Sequence, residues 1–243
     1  MSGVCIFCNA RQDSNEHVFP RWLRDLFPED EVGPAVARYI KGQPGEAPYK
    51  TIDTGAIATI EAGIVCQGCN TGWMSNMERQ TRPLIEPQAL GQQATLSMAD
   101  QVQLAAWAVK TCMTCEMTLG HENLFSPTDR AIVRAERRPL ASVIVQVAAY
   151  TGTNGPLEYV KLVAPMRRNG THVGELKLHS LKIGCLIFRV AAFLPGDNGA
   201  LKKIAVPRDV QIPVFPPVKS CKWPPPIVLD DDGFRNFCLP PRG

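Results

Sequence analysis

The sequence places two Cys-x-x-Cys knuckles, Cys5-Ile6-Phe7-Cys8 and Cys66-Gln67-Gly68-Cys69, on either side of 57 intervening residues. No other feature restricts the fold as strongly. Thiolates at i and i+3 of a tight turn supply one edge of a tetrahedron, and a second knuckle of the same spacing completes a four-coordinate zinc site. Gly68 suits the tight backbone of the second turn. Four thiolates on one ion staple residues 5–8 to residues 66–69, so the chain between them must carry structure of its own. Such a closed shell has no open position. The expected Zn²⁺ is therefore architectural, and its binding stabilises the fold by roughly 10 kcal/mol or more.

The chain has nine cysteines, an odd number, and its start, MSGVCIFCNARQ, has no basic stretch followed by an apolar one. Metal binding and buried thiols are expected ahead of a disulfide framework. Hydrophobic residues make up 45% of the 243 and charged residues 20%, a balance that supports a packed core and argues against disorder. The longest apolar run, Ile183 to Leu194, is interrupted by Arg189 and is too short to span a bilayer. A soluble cytoplasmic protein with no membrane partner is the expectation. The net charge of +3 is unevenly spread: residues 1–95 carry 8 Lys/Arg and 11 Asp/Glu, residues 96–243 carry 18 and 12. The mild positive excess of the second part can attract a polyanion, and it fits a solvated surface equally well.

The hydrophobic pattern predicts an α+β chain in two domains, 1–90 and 91–243. In the first, Lys41–Pro48 reads as a loop and Asp53–Val65 as one or two short strands entering the second knuckle. Gly72–Leu84 reads as a helix, with Trp73, Met77 and Gln80 on one face and Pro83 limiting its length. Residues 97–119 predict a helix with a wide apolar face. A shorter helix is expected over Pro127–Arg137, with Ser126 as N-cap and Pro139 as stop. Ala141–Tyr150, Tyr159–Ala164, Gly174–Leu178 and Lys182–Phe193 read as strands, and their short connections favour antiparallel pairing. Prolines are dense from Val206 onward and predict a tail without regular structure. Cys112-Met113-Thr114-Cys115 repeats the knuckle spacing inside an apolar helix face. There the spacing means joint burial, whereas a redox dithiol belongs at a helix N-terminus after a strand.

Between the knuckles stands Glu16-His17-Val18-Phe19-Pro20, and Asn70 directly follows the last knuckle cysteine. Hydrolysing a phosphodiester needs a base for the attacking water and a cation for the leaving oxygen. His17, neutral near pH 7, suits the first task. Glu16 and Asn70 offer hard oxygen donors that suit Mg²⁺ or Mn²⁺. Neighbours in an extended segment point to opposite faces, which is compatible with base and cation acting on opposite sides of phosphorus. Asn70 is also a favoured N-cap for the helix that follows.

The pieces CIFC, EHVFP and CQGCN with a following helix resemble the HNH endonuclease superfamily, over about residues 5–80, a third of the chain. In that family an acidic residue precedes the catalytic histidine in a D/E-H-[VI]-x-P arrangement, and an Asn or His ligand follows the closing Cys-x-x-Cys. The stretches EHVFPRWL, CQGCNTGWMSNME and AAWAVK are similar to a group of bacterial and phage HNH-like proteins. The resemblance implies an α+β fold: a zinc-stapled ββα-metal (HNH) module, then a helical segment and a C-terminal antiparallel β-rich region. It implies a catalytic set of His17, Glu16 and Asn70, with a catalytic Mg²⁺ or Mn²⁺ on Glu16 and Asn70. Structural Zn²⁺ would sit on Cys5, Cys8, Cys66 and Cys69, and DNA would be the substrate, without separating DNA from RNA. HNH sites also have a middle Asn shortly before the last Cys-x-x-Cys; here that slot falls near Glu61, and no Asn lies between Asn15 and Asn70. Asn76 and Glu78 are two apart and do not share a helix face to replace it.

Two other readings compete. A catalytically inactive zinc module that binds nucleic acid or protein has no need of the Glu16–His17 pair, and a thiol-redox protein would use Cys112 and Cys115. Arg21, Arg24, Arg79 and Arg82 are candidate phosphate contacts or a solvated face. Trp22 and Trp73 are expected in the core, and His121, His172 and His179 lack clear ligand spacing.

Overall fold

The computed structural model of the protein describes residues 3–28, 36–41, 50–52, 61–119, 124–168, 171–194 and 210–239. It is a mixed α+β structure. Twelve strands are described: β1 Ser14–His17, β2 Val36–Lys41, β3 Lys50–Ile52, β4 Glu61–Val65, β5 Ala94–Leu96, β6 Val143–Tyr150, β7 Leu157–Arg168, β8 Thr171–Ile183, β9 Leu186–Leu194, β10 Gln211–Phe215, β11 Cys221–Trp223 and β12 Val228–Leu229. The described α-helices are α1 Trp22–Leu26, α2 Ser75–Ala89, α3 Met98–Leu119, α4 Pro127–Glu136 and α5 Asp231–Phe237, and a π-helical turn, Gly68–Met74, runs directly into α2.

The main sheet has the order β10-β6-β9-β8-β7-β2-β3, with β12 added parallel to β6. Strands β6 to β9 pair antiparallel, as their short connections predict. Strand β2 lies between the knuckles in sequence yet pairs parallel with β7, from Val36↔Glu158 to Lys41↔Val163. The segments 1–90 and 91–243 therefore share one sheet, and one apolar core runs from Cys5 to Trp223.

Helix α3 explains why the core is continuous. Every residue from Leu104 to Val109 is buried, a pattern that belongs to a helix covered on all sides. It packs against α2, α4, β4 and β5 and against β6, β8, β9 and β10 of the main sheet. Trp107, fully buried, meets the Phe188 ring at 5.7 Å. Ser97 and Asp100 start the helix as a reciprocal cap, with Ser97 N–H donating to the carboxylate at 2.8 Å and Asp100 N–H to the hydroxyl at 3.2 Å. Ser126 caps α4 in the same way with Asp129. That helix closes one residue earlier than the sequence predicts, on Arg137 in the left-handed conformation (φ 56°), ahead of Pro139.

Three expectations need correction. Pro83 does not limit the helix after the second knuckle, which continues to Ala89 with Pro83 and Pro87 inside it. Pro83 is exposed, so the carbonyl that loses its partner faces water, while buried Met77, Ile85 and Ala89 hold the inner face. Lys182–Phe193 is not one strand: Gly184 (φ 54°) and Cys185 form a two-residue hairpin between β8 and β9. The proline-dense tail is largely regular, giving β10, β11, β12 and α5. Among its described prolines, Pro213 lies inside β10, an edge strand with a register irregularity beside that residue, and the others lie between the strands. Of the loop expected at Lys41–Pro48, Lys41 is instead the last residue of β2, and 42–48 lie outside the described residues, as do 53–60 of the 53–65 segment, whose end is β4.

Candidate metal centre

The first knuckle sits at the tip of a short hairpin closed by the Val4↔Arg11 bridge. Cys5 N–H donates to the Ala10 carbonyl at 2.7 Å, and Asn9, at φ 60°, takes the left-handed conformation that turns the chain back. Ile6 N–H donates to the Ile64 carbonyl at 3.0 Å, which fastens this knuckle to β4. The second knuckle leaves the end of β4 and enters the π-helical turn. Cys69 and Asn70 both donate backbone N–H to the Cys66 carbonyl, at 3.1 and 3.0 Å. Asp13 accepts the Gln67 N–H at 2.6 Å, a carboxylate placed at the positive end of the helix.

These contacts bring the four sulfurs together. Cys5, Cys8, Cys66 and Cys69 have ligand atoms all within 4.8 Å of one another, the only such cluster of metal-ligating side chains among the described residues. Cys8 Sγ lies 3.5 Å from Cys66 Sγ, and all four thiols are free of disulfides. Zinc–sulfur bonds of about 2.3 Å put tetrahedral sulfurs about 3.8 Å apart. The cluster fits that figure, so four cysteines are in place to hold a zinc ion. Burial pushes the Cys69 thiol up to about 12; a dication among the sulfurs is what makes joint deprotonation favourable.

The remaining expected site residues flank this centre. Strands β1 and β4 pair antiparallel, with Ser14↔Val65, Glu16↔Ala62 and His17↔Glu61 and an irregularity between Ser14 and Glu16. Glu61, the slot named above, is thus the register partner of His17. Asn70 donates its amide to Ser14 Oγ at 2.5 Å, which fixes the start of the helix against β1. His17 is half-buried, and Arg24 of α1 places Nη2 3.4 Å from its Nε2. A guanidinium only donates, so Nε2 is the accepting atom of this contact. The Glu16 side chain lies outside the described residues. Among the described contacts, His17 and Asn70 turn to different partners, Arg24 and Ser14.

Beside α1 and α2 is an open groove of about 420 Å³ whose walls include Trp22, Glu78, Arg79, Arg82 and Glu86. Arg82 pairs with Glu86 at 2.9 Å and stands over the Trp22 ring. Glu78 is held at 2.8 Å by Lys110, a buried lysine of α3. Asn76 accepts from Arg79 at 2.8 Å. Trp73 is core, edge-on to Phe7 at 5.0 Å. Cys112 and Cys115 are fully buried, and burial raises both thiols far above the usual range, which suits a packing role. His121 lies outside the described residues.

The sequence reading missed a buried polar chain behind the metal centre. Glu116 accepts N–H bonds from Leu124 (2.7 Å) and Phe125 (3.1 Å), with Arg130 Nη1 at 3.7 Å and His179 Nε2 at 3.9 Å. His179 Nδ1 shares a 2.6 Å hydrogen bond with the Tyr159 hydroxyl. The available signal was a glutamate inside the apolar face of a helix. No family profile, curated protein or solved structure matches the chain. No described helix is long and apolar enough to cross a membrane.

Proposed function

We propose that the chain is a metal-dependent nuclease of HNH type that hydrolyses phosphodiester bonds in DNA, with the four cysteines holding structural Zn²⁺. The observation that carries the reading is the Asn70–Ser14 hydrogen bond of 2.5 Å. It fastens the residue after the second knuckle to the strand that bears Glu16 and His17, giving a β-β-α order around the cysteine cluster. In this reading His17 Nε2 takes the proton of the attacking water. Arg24, now at that nitrogen, is free to swing onto a phosphate oxygen when substrate enters. Asn70 spends its NH₂ on Ser14, which leaves its carbonyl oxygen, with Glu16, to hold Mg²⁺ or Mn²⁺. Such a cation, when bound, supplies charge stabilisation at the leaving oxygen. Glu61 stands opposite His17 in register, where an acidic residue replaces the family's asparagine. The groove beside Trp22 offers Arg79 and Arg82 to the nucleic-acid backbone.

The test is plasmid nicking with Mg²⁺ or Mn²⁺, wild type beside His17→Ala. Removal of the base should slow cleavage by about 10²- to 10⁴-fold while leaving the melting temperature unchanged. Equal nicking by both proteins would remove His17 from the mechanism. A wild type that shifts DNA in a gel but never cuts it would favour the inactive zinc-module reading.

A further inference from the structure

Helix α4 lies in the second part of the chain, yet its ends reach both knuckles. In its first turns Arg130, 6% exposed, donates Nε–H to the Ile6 carbonyl at 3.2 Å and Nη1–H to the Phe125 carbonyl at 2.5 Å. Ile6 sits between Cys5 and Cys8, so this bond holds the peptide of the first knuckle. At the far end Arg137 lays its guanidinium over the Trp73 ring at 4.7 Å. Trp73 belongs to the same π-helical turn as Cys69, so the cation stands over the turn that carries the second knuckle.

The position of Arg130 is itself fixed from behind. Glu116, fully buried, faces its Nη1 and binds the two amides that lead into α4. The polar chain Tyr159–His179–Glu116–Arg130–Ile6 runs from the main sheet to the first knuckle. A buried charged group gains nothing by default in stability over a well-packed apolar one. Its retention here accords with a placement role, and the object placed is the knuckle peptide. Four thiolates around one dication also carry two net negative charges, which Arg137 is positioned to offset.

We propose that α4 is a brace for the metal centre: Arg130 fixes the first knuckle, Arg137 supports the second, and zinc affinity therefore depends on residues beyond the zinc-bearing segment. This rests on the four-cysteine zinc reading. Groups that orient metal ligands typically change affinity by 10- to 100-fold when removed.

The experiment uses the full chain. Zinc affinity is measured by competition with a chromogenic chelator, and Co²⁺ substitution reports ligand geometry through its absorption bands. Arg130→Met should weaken zinc binding by about 10- to 100-fold, and Arg137→Gln should weaken it less, by several-fold. Arg134→Gln, at an exposed position of the same helix, should leave it unchanged. Equal affinity of Arg130→Met, Arg137→Gln and wild type would overturn the brace. A wild type that takes up no zinc would instead overturn the four-cysteine reading, and the brace with it. If Arg130→Met fails to fold, exposed Arg137 decides the matter. Amide exchange in the wild type gives a second measure: zinc should slow exchange at Leu124 and Phe125, and unchanged exchange there counts against the coupling.

Discussion

Replacing Glu116 by glutamine should expose a pH dependence that the wild-type protein conceals. Burial pushes the Glu116 carboxyl up from 4.5 to about 7, against the Leu124 and Phe125 amides. Burial, reinforced by Lys161 and Lys177, pushes the His179 imidazole down from 6.5 to about 3. Consider the window from pH 4.5 to 6.5 set by these values. The folded pair holds one proton, on Glu116. The unfolded pair also holds one, on His179. Unfolding then exchanges no net proton with solvent, and the pair contributes no slope. Each member alone does contribute. The stability lent by Glu116's raised value is complete below pH 4.5 and is lost as pH rises through about 7. The stability lent by His179's depressed value is complete above pH 6.5 and is lost as pH falls towards about 3. Glu116→Gln leaves only the second contribution. The variant should therefore gain about 1.4 kcal/mol per pH unit relative to wild type, about 3 kcal/mol across the window. Urea unfolding followed by tryptophan fluorescence measures it, with the two free energies subtracted at each pH so that all other groups cancel. A difference that stays constant from pH 4.5 to 6.5 would refute the proton placement.

Further expectations follow from single contacts. Cys66→Ser should abolish zinc uptake and lower the melting temperature, whereas Cys112→Ser should keep the zinc content of the wild type; metal analysis and thermal melts check both, and a normal melt for Cys66→Ser counts against the metal centre. Gly184→Ala drives a Cβ into the Ala89 carbonyl at a residue with φ 54°, so stability should fall by about 2 kcal/mol or more, read as a lower urea midpoint. Tyr159→Phe removes the hydroxyl bonded to His179 Nδ1 and should cost about 1–3 kcal/mol; an unchanged midpoint would show that the imidazole finds another partner.

The parts legible in the sequence are those set by local rules. Knuckle spacing announces the cysteine cluster, the apolar face of residues 97–119 announces α3, and Ser126 with Asp129 announces the start of α4. The hairpin at Gly184 is hidden because the apolar run continues across it on both sides. Helix α2 outlasts its prolines because inward packing at Met77, Ile85 and Ala89 outweighs two missing N–H groups. The reach of Arg130 to Ile6 spans 124 positions, and no periodicity encodes such a distance. His179 looks incidental until β8 brings it beside Tyr159 and Glu116.

The parallel pairing of β2 with β7 has a consequence for how this protein can be taken apart or inherited. A chain cut after residue 90 would carry β2 away and bare the backbone edge of β7 over the stretch facing Val36–Lys41, an open template for unwanted association. The cysteine-clipped segment is woven into its neighbour. It is poorly suited to travel between proteins as a detachable cassette, and any transplant would need the sheet that receives its strand.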